Sequence, residues 1–166
     1  MIYEYNHVIQ LQSIEGLPRP SEDPKWLVEY FKDNTKVKDG SILLDIGCGN
    51  GIISLLLAKA YPKCHIHGID IQENLLKQAK SNAKLNKLNN CTFERVDILK
   101  ADLIEQYDHV LTNPPYHRID KGFISTSNHK NVAHGMCLDD MQKWLETAQN
   151  LMAKNGTLTF IHHMQH

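Results

Sequence analysis

Three glycines at alternate positions, Gly47, Gly49 and Gly51, follow directly on the apolar run Ser41-Ile42-Leu43-Leu44-Asp45, and no other segment restricts the fold as much. The run is bounded by Gly40 and by the glycines, so its length suits a buried strand rather than a helix. Gly51 to Ala60 then reads as a helix. Lacking side chains at these positions, the backbone can turn sharply between strand and helix, and a ligand can approach the main chain closely. A plain strand-to-helix turn has the same local requirement. The spacing GxGxG differs from the dinucleotide fingerprint GxGxxG, which disfavours NAD.

The alternation continues downstream. Strands are expected at Ile66 to Ile69, Cys91 to Val96, His109 to Thr112 and Leu158 to Ile161, with helices from Glu73 to about Leu85 and from about Leu138 to Ala153. Ahead of the first strand the opening reads as irregular. Trp26, Leu27, Tyr30 and Phe31 then recur at helical spacing, and Pro24 suits the first turn of a helix placed to cap the site. Strands alternating with helices imply crossover units, hence an α/β fold with a mostly parallel sheet and helices on both faces. Residues 1–166 are expected to form a single domain, with 1–40 as an N-terminal cap segment and 41–166 as its core. The polar stretch His117 to Met136, aperiodic and holding Gly122 and Gly135, is expected to be a long functional loop.

Composition narrows the function classes. Of 166 residues, 42% are hydrophobic and 22% charged, which is ordinary for a globular chain. No run approaches the roughly 18 apolar residues of a membrane span. Met1 to Asn6 is too polar for a signal peptide, so a cytoplasmic protein with no membrane partner is expected. Four cysteines, Cys48, Cys64, Cys91 and Cys137, are widely spaced without a CxxC pair, indicating neither a zinc knuckle nor a disulfide framework. Ten histidines include His162, His163 and His166, but no helical HxxxH pair has acidic support, and no metal is expected. The net charge of -1 gives no general attraction to nucleic acid and leaves any such contact to local patches. Lys77, Lys80, Lys84 and Lys87 form one such row along a helical face, suited to touching phosphates or to facing solvent.

Directly after His109-Val110-Leu111-Thr112 comes Asn113-Pro114-Pro115-Tyr116. If the side-chain oxygen of Asn113 and the carbonyl of Pro114 each accept one N–H of a planar amine, the amine is drawn towards tetrahedral geometry and its lone pair is freed for attack. Pro114 and Pro115 fix two backbone torsions and remove two N–H donors, so the turn presents carbonyls in a rigid frame. Tyr116 offers a flat face for an unstacked base, worth roughly 1–3 kcal/mol. A strand-ending turn with a core tyrosine is the simpler alternative. Asp70, ending the next strand after the glycine turn, can accept hydrogen bonds from the vicinal hydroxyls of a ribose or can cap a helix. Asp97 can receive the exocyclic amine of an adenine or form a turn, and Asp45 can orient a cationic methionine-like amino group or serve the fold.

In this order the residues resemble the class I S-adenosylmethionine-dependent methyltransferases, over nearly the whole chain from Ser41 onward. The resemblance implies a Rossmann-like fold in which the first and fourth strands are neighbours, setting Gly47 to Gly51 and Asn113 to Tyr116 on facing lips of one crevice. It implies that Gly47, Gly49 and Gly51 surround the methionyl part of S-adenosylmethionine, with Asp45 and Cys48 in the same turn. Asp70 would hold the ribose with Ile71 beside it, Asp97 with Ile98 would contact the adenine, and Asn113 would border both cofactor and substrate. Asn113-Pro114-Pro115-Tyr116 is similar to the signature of amino-methyltransferases acting on adenine in DNA or RNA, and of those acting on the glutamine amide of release factors. The glutamine enzymes usually carry a helical N-terminal domain, whereas about forty residues precede the first strand here, which favours a nucleic-acid base.

Gln10 to Leu27, with Arg19, Ser21 and Asp23, is similar to the opening of bacterial tRNA adenine-N6 methyltransferases, as is His134 followed by Leu138-Asp139-Asp140. Ala133 and Gly135 stand where that family has an arginine and a glutamate. RNA, foremost tRNA, is the implied partner. Class I enzymes usually add a final strand hairpin beside the fifth strand, while this sequence stops just after Ile161, and the sheet edge so exposed invites pairing with another chain and a homo-oligomer. Three readings follow: an RNA N6-adenine methyltransferase, a protein-glutamine N5 methyltransferase acting on release factors, and a catalytically impaired remnant that still binds the cofactor.

Overall fold

The computed structural model describes residues 2–12, 21–100, 106–114 and 138–162. In chain order these form β1 (Ile2–Tyr5), β2 (Ile9–Gln12), α1 (Asp23–Asn34), β3 (Ile42–Ile46), α2 (Ile52–Ala60), β4 (His65–Asp70), α3 (Glu73–Leu85), β5 (Cys91–Arg95), β6 (Tyr107–Thr112), α4 (Leu138–Asn150) and β7 (Met152–Phe160). Five strands make one sheet in the order β5-β4-β3-β6-β7, every neighbouring pair parallel. The order reverses between β3 and β6, and crevices for ligands open at such a point, at the carboxyl ends of the strands.

Leu43 and Leu44 show how one strand serves two cores, since successive side chains leave a strand on opposite faces. Leu43 is buried with Phe31, Leu55, Leu76 and Phe93 under α1, α2 and α3. Leu44 is buried with Ile46, Ile69, Val110 and Trp144 under α4. The expected α/β architecture with helices on both faces is therefore present.

Two segments depart from expectation. The opening is not irregular: β1 and β2 pair as an antiparallel hairpin. Its turn carries φ of 55° at both Asn6 and His7, and Val8 N donates to Tyr5 O at 3.1 Å. Positive φ at both central residues is the type I′ pattern, here without the glycine that usually announces it. The amides of α3 take the place of a third strand for β2. Asn86 Oδ1 accepts from Gln10 N at 2.8 Å, Asn86 Nδ2 donates to Gln10 O at 2.7 Å, and Asn82 Oδ1 accepts from Gln12 N at 3.0 Å.

At the other end, α4 stops at Asn150 rather than Ala153, because the carbonyl of Leu151 is taken by Tyr107 N at 2.8 Å. Strand β7 then starts at Met152. Between the pairs Tyr107↔Met152 and His109↔Thr157, β7 advances five positions while β6 advances two. The surplus is a bulge around Asn155 and Gly156, whose turn-like composition hides the strand on either side of it.

Helix α1 covers the sheet with Leu27, Val28 and Phe31. Phe31 is fully buried and meets the rings of His109 and Tyr61 edge-on, with centroids 5.3 and 6.1 Å away. Phe31→Ala is expected to cost about 3–5 kcal/mol, the range for truncating a buried aromatic. Urea unfolding with an unchanged m-value is the measurement, and a loss under 1 kcal/mol would mean that α1 is not part of the cooperative core.

Candidate functional site

The turn after β3 combines tight backbone with open space. Gly47, Gly49 and Gly51 have φ of +72°, +55° and +90°. At Gly51 a Cβ would stand 3.0 Å from Cβ of Ala79 on α3, and at Gly47 it would press on the Trp144 ring at 3.2 Å. Over Gly49 nothing lies within 4 Å, so the approach from that side is clear. Gly47 N and Cys48 N both donate to Ile69 O, at 2.8 and 2.9 Å, and Asn82 Nδ2 donates to Asn50 O at 3.0 Å.

Two carboxylates complete the turn. Gly51, the N-cap of α2, has no side chain with which to satisfy the helix's first N–H groups. Asp45 does so from β3, its Oδ2 accepting from Ser54 N at 2.9 Å and from Ser54 Oγ at 2.6 Å. Asp70, at the end of β4, accepts from Gly49 N through Oδ2 and from Gln72 N through Oδ1, both at 2.8 Å. Each oxygen of Asp70 retains acceptor capacity for a second donor.

Burial pushes the Asp45 carboxyl up to about 7, against the two Ser54 hydrogen bonds and with help from the neighbouring charge of Asp70. Its other oxygen, Oδ1, is buried without a partner among the described residues. Asp70 is also raised, by burial, with the N–H groups of Gln72, Gly49 and Ile71 opposing. The Cys48 thiol is held well above its ordinary value by burial and by Asp45 and Asp70, so it stays a neutral thiol. An unpaired buried acceptor, a second carboxylate and clear space at Gly49 fit a ligand that carries positive charge and hydroxyl donors.

The remaining candidates fall around this turn in different ways. Ile71 follows Asp70 and is exposed, an apolar surface at the carboxyl edge of β4. Asp97 takes up local contacts: Oδ1 accepts from Leu99 N at 3.2 Å and Oδ2 lies 3.0 Å from Lys100 Nζ. Ile98 is buried in the cluster under α4.

The second lip stands beside the first. Ile46 and Thr112 are paired across β3 and β6, so Gly47 and Asn113 leave adjacent strand ends, which lie about 4.8 Å apart in any sheet. Thr112 Oγ1 donates to Ile46 O at 2.9 Å and accepts from Trp144 Nε1 at 3.1 Å. Trp144 thus touches both lips, with its ring against Gly47 and its N–H on the residue before Asn113. Nothing in the sequence pattern singles it out, because a tryptophan on an amphipathic helix reads as core.

Asn113 is half-buried and Pro114 buried. Pro115, Tyr116, the loop expected over His117 to Met136 with His134, and Arg19 lie outside the described residues. Among the described residues no group of histidine, cysteine and acidic side chains could hold a metal ion, and no helix is long and apolar enough to cross a membrane.

Residues 37–166 match a family described as a methyltransferase domain. The chain is 34% identical over 151 residues to a release factor glutamine methyltransferase of Aliivibrio fischeri, covering 90% of this chain and 48% of that protein. It is 29% identical over 124 residues to a tRNA1(Val) (adenine(37)-N6)-methyltransferase of Glaesserella parasuis serovar 5, covering 72% of this chain and 50% of that protein. The chain therefore spans about half the length of these relatives. Among solved structures, TrmN from Thermus thermophilus superposes with a TM-score of 0.64 at 21% identity, over 84% of this chain and 37% of that one. Coclaurine N-methyltransferase bound to N-methylheliamine and SAH superposes at 0.61 with 18% identity, over 82% and 35%. At these identities the two structures share the fold.

The state of Asp45 has a measurable consequence. Folded, it keeps its proton to about pH 7; unfolded, it keeps it only to its ordinary value of 3.8. The group therefore favours the fold fully below pH 3.8, and that contribution is lost as pH rises towards 7. Asp45→Asn does not titrate. Relative to this variant, wild-type unfolding free energy is expected to fall between about pH 4 and 7 and to level off above. Parallel profiles from urea titrations across that interval would refute the assignment.

Proposed function

Since the chain belongs to the methyltransferase domain family, we propose that it methylates a planar primary amino group, the exocyclic N6 of adenine in RNA and foremost in tRNA. S-adenosylmethionine is the methyl donor of this family, and when bound it supplies a methyl group on a positively charged sulfur. One observation supports the amine reading above all: the pairing of Ile46 with Thr112, which sets the start of Asn113-Pro114-Pro115-Tyr116 beside the glycine turn.

Each residue's role follows from its chemistry. Asp70 receives ribose hydroxyls on the acceptor sites left by Gly49 and Gln72, Ile71 lies alongside, and Asp97 with Ile98 borders the adenine of the donor. Asp45 Oδ1 is an acceptor for an ammonium group, and Gly47, Cys48, Gly49 and Gly51 bring main chain close to the ligand. The Asn113 side-chain oxygen and the Pro114 carbonyl each accept one N–H of the substrate amine, which localises its lone pair and stabilises the positive charge that grows on nitrogen. Pro115 keeps the turn rigid, and Tyr116 stacks on the base.

For RNA, the tRNA enzyme among the relatives and the likeness of Gln10 to Leu27 to tRNA methyltransferase openings are the support. The glutamine amide of a release factor is the second reading, favoured by the 34% identity that extends over 90% of this chain. Transfer of radiolabelled methyl into tRNA, ribosomal RNA, DNA and release factor separates them, with tRNA expected. Label in release factor alone would replace the first reading by the second. Cofactor binding without label in any acceptor would identify an impaired remnant.

Asn113→Ala is expected to cut turnover by about 10²-fold or more, by analogy with loss of a transition-state hydrogen-bonding group, with cofactor affinity nearly intact. Unchanged turnover would end the amine-holding role. Asp70→Ala is expected instead to weaken cofactor binding by about tenfold or more, as loss of hydrogen bonds to a charged group does. Equilibrium titration checks this, and an unaltered Kd would reject the ribose assignment.

A further inference from the structure

Helix α3 carries Lys77, Lys80 and Lys84 along one face, and Lys87 follows just after its end; all four are exposed. From Asn74 to Phe93 the chain has no aspartate or glutamate. Three lysines elsewhere find carboxylates, Lys25 on Glu22, Lys63 on Asp39 and Lys100 on Asp97; among the described residues the four of this row make no ion pair, and they differ from other such lysines in sharing one face. The acids that bracket this stretch are Glu73, one helical turn before Lys77, and Glu94, whose Oε2 lies 3.4 Å from His67 Nε2.

The row borders a groove of about 680 Å³ between α3 and β5, lined by Lys80, Lys84, Lys87, Asn89, Thr92 and Phe93. Lys87 sits at φ 57°, the left-handed position after a helix where glycine is the unstrained choice. A lysine there adds a third ammonium to the groove wall. Because α3 starts just after Asp70 at the carboxyl edge of the sheet and runs back beside β5, the row leads away from the candidate site. Lys77 to Lys84 spans about 10 Å at the helical rise.

We propose that this lysine face and its groove form a docking surface for the phosphate backbone of RNA, holding the strand whose target base enters the crevice. The inference rests on the RNA reading above and deepens it by naming where the substrate's backbone lies. A row of four cations without an ion pair among the described residues, on a chain with net charge -1, complements a regularly charged polyanion. Base selection stays with the crevice, since phosphate contacts position a nucleic acid and base contacts specify it.

The test is binding of bulk tRNA to the full chain by fluorescence anisotropy from about 50 to 200 mM KCl, where neutralised phosphates set the salt slope. The variant K80Q/K84Q/K87Q is expected to flatten the plot of log Kd against log salt by about 2, at roughly 0.7 per lost contact, and to weaken binding about tenfold or more at low salt. The variant K32Q/K36Q/K38Q removes equal charge at exposed positions on and after α1, and is expected to leave the slope near wild type. In tRNA methylation the first variant should raise KM with kcat maintained.

An unchanged slope in the first variant, or an equal change in both, overturns the docking surface. If wild type then still methylates tRNA, the functional reading stands without it. If wild type binds no tRNA and methylates release factor, both fall together.

Discussion

Parallel pairing of β3 with β6 is the constraint from which the rest follows. It brings two strands that are far apart in the chain to the reversal point of the sheet, and it ends both at the same level, Ile46 beside Thr112. A one-residue slip would exchange the faces of all β6 side chains, carrying Val110 and Thr112 away from α4. The Thr112 hydroxyl guards against this, bonded at once to the Ile46 carbonyl and to the Trp144 indole. Register, core packing under α4 and the spacing of the two lips are thus one property.

Electrostatics around the glycine turn are arranged from beneath. Neither Asp45 nor Asp70 lies in a helix, yet both accept main-chain N–H groups that the glycines leave without side-chain partners. The cost is a pair of buried carboxyls with raised proton affinity. Desolvation of the charged form is the ordinary cause where carboxyls stand in a place that water reaches poorly.

Much of this was legible in the residues. Glycine spacing, the apolar run before it and the helix-strand alternation point to the parallel sheet and to its crevice, because local chain geometry dictates them. What the residue pattern does not carry is tertiary. The hairpin of β1 and β2 turns on Asn6-His7 instead of a glycine pair, and it is completed by amide side chains of α3 some seventy residues later. The early start of β7 depends on Tyr107 capturing the Leu151 carbonyl, and Asn155-Gly156 disguises it. Asp45 was readable as a ligand group or as a structural one; the fold uses it as a remote helix cap and leaves Oδ1 over. Asp97 likewise takes up the turn role that its residue type allows. Trp144 carries no local signal at all, since its meaning comes from the two lips it touches.

That indole has one more consequence. The chain holds two tryptophans, and their surroundings differ sharply: Trp26 is 54% exposed, while Trp144 is 9% exposed and lies against the first glycine of the turn. A dissolved quencher such as iodide reaches the former and is screened from the latter. Tryptophan emission that survives the quencher therefore originates at the crevice floor, giving the protein a native optical gauge of whatever settles there, with no label attached.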